Sequence, residues 1–549
     1  MCRLVVVLSL IPMLGVIASE KQKTLDSGIF SVKSFGALGD GINKDTAAIQ
    51  HAIDACYAAG GGTVVFPAGT YLSGTIRLKD NVVVHLESGA VLKGSPDDAD
   101  YDPYEELGFP NDADKETSFF NFALIQGVGV SHVSIEGRGT IDGNREKRGG
   151  PKPIALKRCQ DVVIRDIRIL NAPNYNISLL GTDHVLIDGV TILNGFSDGI
   201  DPDSCRNVRI ANCHVESVDD AIVLKSSFSL GERRPCENIT VTNCYLATLH
   251  NAFKCGTESG GDFKRIAVSN CVMDMLPGGH RPATSGVALE SVDGAIVEDV
   301  VLSNLTMVNV RCPIFMRLGN RGRDMETPVP GAVRRISVSN VTATSASLPV
   351  LLAGIPDHPV SEITLSSIRI HFAGGTALCT PDEEVPEQID KYPDPRMFGA
   401  LPSYALYARH VEGLSIHQFY AGFSDTFWRL PEKEQGVTWK SPAMVPEPAK
   451  QGNAGYAAWF EDVSNLSLTC FQAMPALEGT PLIRFVDVRD ALVANAVAPE
   501  GTRVFMEVAG KQTRGVYLTG NDLTRAEKTI QRHEDVPRTA IHSPRRPDK

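Results

Sequence analysis

The chain has 549 residues, a formal net charge of -12 and only 7% aromatic residues. That acidic balance argues against nucleic acid or an anionic membrane as a partner, and it offers no long-range attraction to a polyanion. A content of 49 Gly and 33 Pro fits many turns between short strands.

Arg3 precedes an apolar run, Leu4 to Ala18, that is too short to cross a bilayer. Residues 1–18 therefore read as a cleavable signal peptide, which implies a secreted or periplasmic protein; a membrane anchor is the alternative, but no stop-transfer pattern follows. Setting Cys2 aside leaves an odd number of the 12 cysteines, which cannot all pair. Three recur as Asn212-Cys213, Asn243-Cys244 and Asn270-Cys271, as expected of small buried side chains stacked from coil to coil. No Cys or His spacing suits zinc, so no metal or other cofactor is expected.

In chain order, Asp45 is placed to cap a short helix with Ile49, Ile53 and Cys56 on one face, ending at Gly60-Gly61-Gly62. Short β-branched strands follow at 63–67, 71–78, 82–86 and 90–94. Pro96 to Ser118 breaks the pattern and reads as a loop shaping a binding face. From Val133 a strand repeat restarts near Val162, Val185, Val208, Ile239, Ile266, Ile296, Ile336 and Ile363. Asp382 to Pro395 reads as an acidic loop, and strand alternation resumes to about Leu523. The predicted fold is all-β, a right-handed parallel β-helix over residues 27–523. The short N-terminal helix caps its first coil. Residues 524–549 are expected to be a disordered basic tail, and the protein a monomer.

Two acidic stretches stand out, DGIDPDSC (Asp198 to Cys205) and VDDAIVLKSS (Val218 to Ser227). Asp198-Gly199-Ile200 superposes on Asp220-Ala221-Ile222 one coil later, so Asp198, Asp219 and Asp220 gather on neighbouring strands about 4.8 Å apart. Carboxyls that close hold together when one keeps a proton and another stays ionised, which suits acid/base glycoside hydrolysis. An isolated Asp-Asp at a turn is ordinarily just solvated; the shared register is what sets this pair apart. Asp201 and Asp203 read as an ordinary turn, and Asn176 as part of an asparagine stack at a coil corner.

These stretches, together with GALGDGINKDTAAIQ (Gly36 to Gln50) and the run from Gly60 to Ser95, resemble glycoside hydrolase family 28, the polygalacturonases and their relatives. The resemblance implies a right-handed parallel β-helix of inverting hydrolases without a metal cofactor. It makes Asp219 the general acid, with Asp198 and Asp220 activating water; inversion asks for carboxyls about 6.5 to 9.5 Å apart. The family's active-site His falls on Asn251, with His250 one place away, and its carboxylate-gripping Arg-Ile-Lys falls on Ala288-Leu289-Glu290.

Since Ala288 and Glu290 offer a uronate no partner, Lys225 and Lys254 are candidates to replace that grip, against an equal expectation of plain salt bridges. Glu290 is expected to pair with Arg317, and Glu258 is a further cleft candidate. The substrate expected is a pectic or related polysaccharide. Two rivals stay open: a Ca²⁺-dependent lyase with Asp201 and Asp203 on calcium and Lys225 as base, and a non-catalytic carbohydrate-binding scaffold.

Overall fold

The computed structural model describes residues 28–373, 383–424, 455–475 and 479–543, and the backbone alone of 426–429 and 445–448. The proposed signal, residues 1–18, lies outside the described residues. Nearly every strand pairs parallel with its counterpart one coil away, which makes the chain a parallel β-helix. A representative coil has three strands, Ile200–Asp203, Arg206–Ala211 and His214–Ser217, paired with Ile222–Ser226, Cys236–Thr242 and Tyr245–Thr248 of the next.

Coils bend where one residue adopts a left-handed conformation, and Asn tolerates that conformation well. Asn212, Asn243, Asn270, Asn304 and Asn340 occupy one such corner with φ of 54–57°. Along that corner Asn304 donates to Asn270 at 2.9 Å and Asn340 to Asn304 at 3.1 Å. Cys213, Cys244 and Cys271 follow these corners as buried, unbridged thiols, as the repeat implied. Asn176 stands elsewhere: its Nδ2 donates to the Asp198 carbonyl at 2.9 Å, bracing the turn before the Ile200–Asp203 strand from the preceding coil.

The ladder runs Val133, Val162, Val185, Val208, Ile239, Ile266 as the repeat implied. It then passes to Val300, not Ile296. Asp299, at φ 57°, sets the bend, so the inward residues flanking it are Val297 and Val300.

The capping helix spans Thr46–Ala58 and buries Ile49, Ala52, Ile53 and Cys56. Asp45 does not cap it with its side chain; its carboxylate accepts from the Leu38 and Gly39 amides at 2.7 and 3.0 Å and so holds the preceding turn. At the other end the expected disordered tail is overturned. Lys528–Arg532 pairs with Val504–Ala509, and Ile541–His542 with Arg514–Thr519. The open edge of the last coil attracts any strand that can satisfy it, and Val536 and Ala540 are apolar enough to be buried there. Residues 544–549 lie outside the described residues.

Candidate active site

One outward row of the sheet holds Val223, Lys254, Ala288, Phe315, Leu351, Tyr407 and Trp459 on successive coils. The segment 383–401 folds over the later part of this row, with Val385, Phe398 and Leu401 packed on Phe315, Leu351, Tyr407 and Trp459. Two buried arginines hold that segment by its carbonyls: Arg317 Nη2 donates to Glu387 O at 2.7 Å, and Arg409 Nη1 to Val385 O at 2.6 Å. The uncovered part of the sheet is therefore walled at one end. There lies an open pocket of about 650 Å³, lined by Asp219, Asp220, His250, Asn251, Lys254, Glu290, Tyr392, Asp394 and Arg396 among others.

Ile200 pairs with Ile222, so Asp198 and Asp220 stack as the sequence offset required. Gly199 separates Asp198 from the strand because a Cβ there would lie 2.4 Å from the Ala221 carbonyl. One oxygen from each of Asp198, Asp219 and Asp220 lies within 4.8 Å of the others. This is closer than the spacing expected for inversion, since two are chain neighbours and the third is one coil away.

Each carboxyl has its own cation. Lys225 Nζ lies 2.9 Å from Asp198 and 2.7 Å from Asp201, over the Tyr175 ring. Lys254 Nζ lies 3.3 Å from Asp220 and 3.8 Å from Glu290. Asn251 donates to the same Asp220 oxygen from its amide and from Nδ2, at 3.0 and 2.7 Å. Asp219 meets Arg148 Nη1 at 2.6 Å and His250 Nδ1 at 3.8 Å, and Arg148 also grips Glu116. The Asp219 side chain is 23% exposed, against 4% for Asp198 and 6% for Asp220.

Burial drives the Asp198 carboxyl well above the ordinary range; Lys225 opposes the rise and Asp219 and Asp220 add to it. Burial would raise Asp219 too, but His250 and Arg148 reverse it and hold that carboxyl at about 2. In this state Asp198 keeps the proton and Asp219 is ionised, the reverse of the roles the resemblance implied; Asp219 can act as the acid only once Arg148 leaves it and the proton moves across from Asp198. Arg281 Nη2 donates to His250 Nε2 at 2.8 Å, leaving Nδ1 to face Asp219 with the proton.

Lys225 is enclosed and does not line the pocket; Lys254, Asn251 and Glu290 do. Glu290 turns to Lys254, while Arg317, its neighbour in register, goes to carbonyls, so the expected Glu290–Arg317 pair is not formed. Glu258 pairs with Arg323 at 3.1 Å. Asp201 and Asp203 sit in a strand, not a turn. Asp201 is taken by Lys225, and Asp203 accepts from the Ser227 amide and the Ser204 hydroxyl at 2.9 Å each. Lys225 itself is raised well above its ordinary value by its acids, against the cost of burial, and so keeps its proton. Asp201 and Asp203 are therefore engaged and Lys225 stays protonated, which does not suit the calcium ligands and the base that the lyase alternative assigned to them.

The family model for glycosyl hydrolases family 28 matches residues 56–385. The chain belongs to glycosyl hydrolase family 28. It is a glycoside hydrolase of polygalacturonase-like type with a polysaccharide as substrate. Among family 28 relatives it is 28% identical over 371 residues to a probable polygalacturonase of Vitis vinifera, covering 62% of this chain and 74% of that one. It is 24% identical over 402 residues to the exo-poly-alpha-D-galacturonosidase of Dickeya chrysanthemi, covering 62% and 65%. The family 28 exopolygalacturonase of Yersinia enterocolitica superposes with a TM-score of 0.56 at 19% identity over 74% of this chain and 77% of that one, a likeness of fold.

Against the family 28 motifs, His250 supplies an imidazole beside Asp219 although Asn251 occupies the family's His position, and Ala288 lies under the covered row. Sequence reasoning missed Arg148, Tyr392, Asp394 and Arg396; the first three come from irregular segments and Arg396 from the short 3-10 helix Pro395–Phe398. The charged run Arg145 to Arg148, between strands, was the one available signal for Arg148.

Proposed function

We propose that this family 28 hydrolase cleaves a pectic or related polysaccharide from a chain end, by an inverting acid/base mechanism, outside the cell that makes it. The observation that carries the reading is the trio of carboxyls within 4.8 Å, each anchored by a different cation at a walled pocket. Asp219 is the most exposed of the three and reaches the leaving oxygen once the arriving sugar displaces Arg148. Asp198 and Asp220, buried and joined through the Asp220 amide at 3.2 Å, hold the attacking water. Inversion is what membership of family 28 implies, and the apolar wall at 383–401 favours action at a chain end.

Product release from charged and neutral plant and algal polysaccharides, with and without chelator, tests the reading. New reducing ends that persist in chelator, vanish in Asp219→Asn and appear first as the inverted anomer by NMR are expected. Binding without release in both proteins would leave only a carbohydrate-binding scaffold, and a retained anomer would match the short carboxyl spacing instead.

A further inference from the structure

Around the three carboxyls the cations Arg148, Lys225 and Lys254 all have carboxylate partners, so a sugar held there meets no free positive charge. Further along the sheet the balance reverses. Ile222 pairs with Phe253, Asn251 with Ser285 and Ser285 with Cys312, which sets Asp219, His250, Thr284 and Arg311 in one column across successive coils. Arg281 leans over that column: its Nη1 donates to Leu249 O at 2.6 Å and to Thr284 Oγ1 at 3.2 Å, and its Nη2 reaches His250. Arg396 comes from the wall segment, forked on Asp394 at 2.7 and 2.6 Å, and both line the pocket.

Among the described residues the ion pair of Asp394 is with Arg396, and neither Arg281 nor Arg311 is in an ion pair. Burial, with Arg311 and Arg396, pushes Arg281 down to about 10, and burial with Arg396 lowers Arg311. Half-buried cations that depress one another are relieved by an incoming anion, and arginine forks take planar or tetrahedral oxyanions bidentately. At about 4.8 Å per coil, Arg311 stands roughly three coil steps from Asp219, about one or two sugar units away once its side chain is counted.

We propose that Arg281, Arg311 and Arg396 form an anion subsite for the carboxylate, or a sulfate ester, of a sugar adjacent to the one held at Asp198, Asp219 and Asp220. The subsite rests on the hydrolase reading for its place along the chain of sugars, and it lies away from Ala288 and Glu290, where the family resemblance would put carboxylate recognition. It gives a polysaccharide selectivity for charge beside the cleaved bond and not at it.

Calorimetric titration of the Asp219→Asn protein with trigalacturonate, its carboxyl-reduced neutral counterpart and a sulfated galactan trisaccharide tests this, repeated with Arg311→Gln or Arg311→Lys added. A charged ligand is expected to bind more tightly than the neutral one, to weaken tenfold or more with Gln and to recover in part with Lys, with the neutral ligand unchanged. A loss confined to trigalacturonate assigns a carboxylate, and one confined to the sulfated sugar assigns a sulfate ester. No preference for charge, no binding at all, or unchanged binding in Arg311→Gln overturns the subsite; Arg396→Gln serves if Arg311→Gln fails to fold. The titration reads binding alone, so a protein that binds in this way but releases no product breaks the hydrolase reading and not the subsite.

Discussion

One outward row of the sheet behaves in two ways along its length. Where it crosses the pocket, Lys254 is locked between Asp220 and Glu290, and Arg148 and Lys225 beside it each have an acid too. A few coils later the same row is Phe315, Leu351, Tyr407 and Trp459 beneath a folded-back segment. Buried charges persist only with partners, because an ion left alone in a low-dielectric site is several kcal/mol unfavourable. Apolar side chains need a cover and nothing more. The ionic half is therefore brittle and specific, while the apolar half is a wall that closes the cleft, and the arginines with no acid lie near their junction.

The sharpest way to break the ionic half is at its most exposed member. Asp219→Asn should lower kcat/KM by about 10²–10⁴-fold, the usual range for a general acid, while the thermal midpoint stays close to that of the parent. Lys225→Met should leave activity unmeasurable for a different reason. Asp198 and Asp201 would be buried without their cation, a loss of about 3–5 kcal/mol that denaturant unfolding would read as an earlier midpoint. An unchanged midpoint would show that the ion pairs do not organise this half.

Arg148→Gln addresses which carboxyl carries the proton. Arg148 favours the ionised form of Asp219, so its removal should raise that pKa and keep the proton on to higher pH. The alkaline limb of the pH–rate profile should then move up by about one to three pH units. A limb that does not move would shift the acid's role to Asp198. The smallest effect is expected at Glu290, which burial pushes up to about 8 against Lys254. The folded state holds this proton between the ordinary 4.5 and about 8 while the unfolded chain has lost it, so stability falls as pH rises through that window. Glu290→Gln should flatten that slope in unfolding midpoints measured across the same range.

Much of this was readable from local pattern. Strand alternation, the stacked Asn-Cys corners and the one-coil offset between Asp198 and Asp220 are properties of a repeat. A repeat fixes which residues are neighbours before any fold is known. It misplaced Ile296 for Val300, because a left-handed residue rather than the hydrophobic spacing sets the bend. It also ended the coils too early, since the last strands are held by an open edge more than by their own propensity.

By itself, then, the sequence determined the coil, its sheet and the three acids on it, because each depends on spacing along one chain. Only the tertiary structure decided the rest: which cation each acid keeps, that Lys225 is enclosed while Lys254 lines the pocket, that 383–401 walls the cleft, and that Arg281, Arg311 and Arg396 stand near enough to depress one another. Those partners come from strands and connecting segments far apart in the chain. Their positions follow from packing against the finished sheet, which no local period encodes.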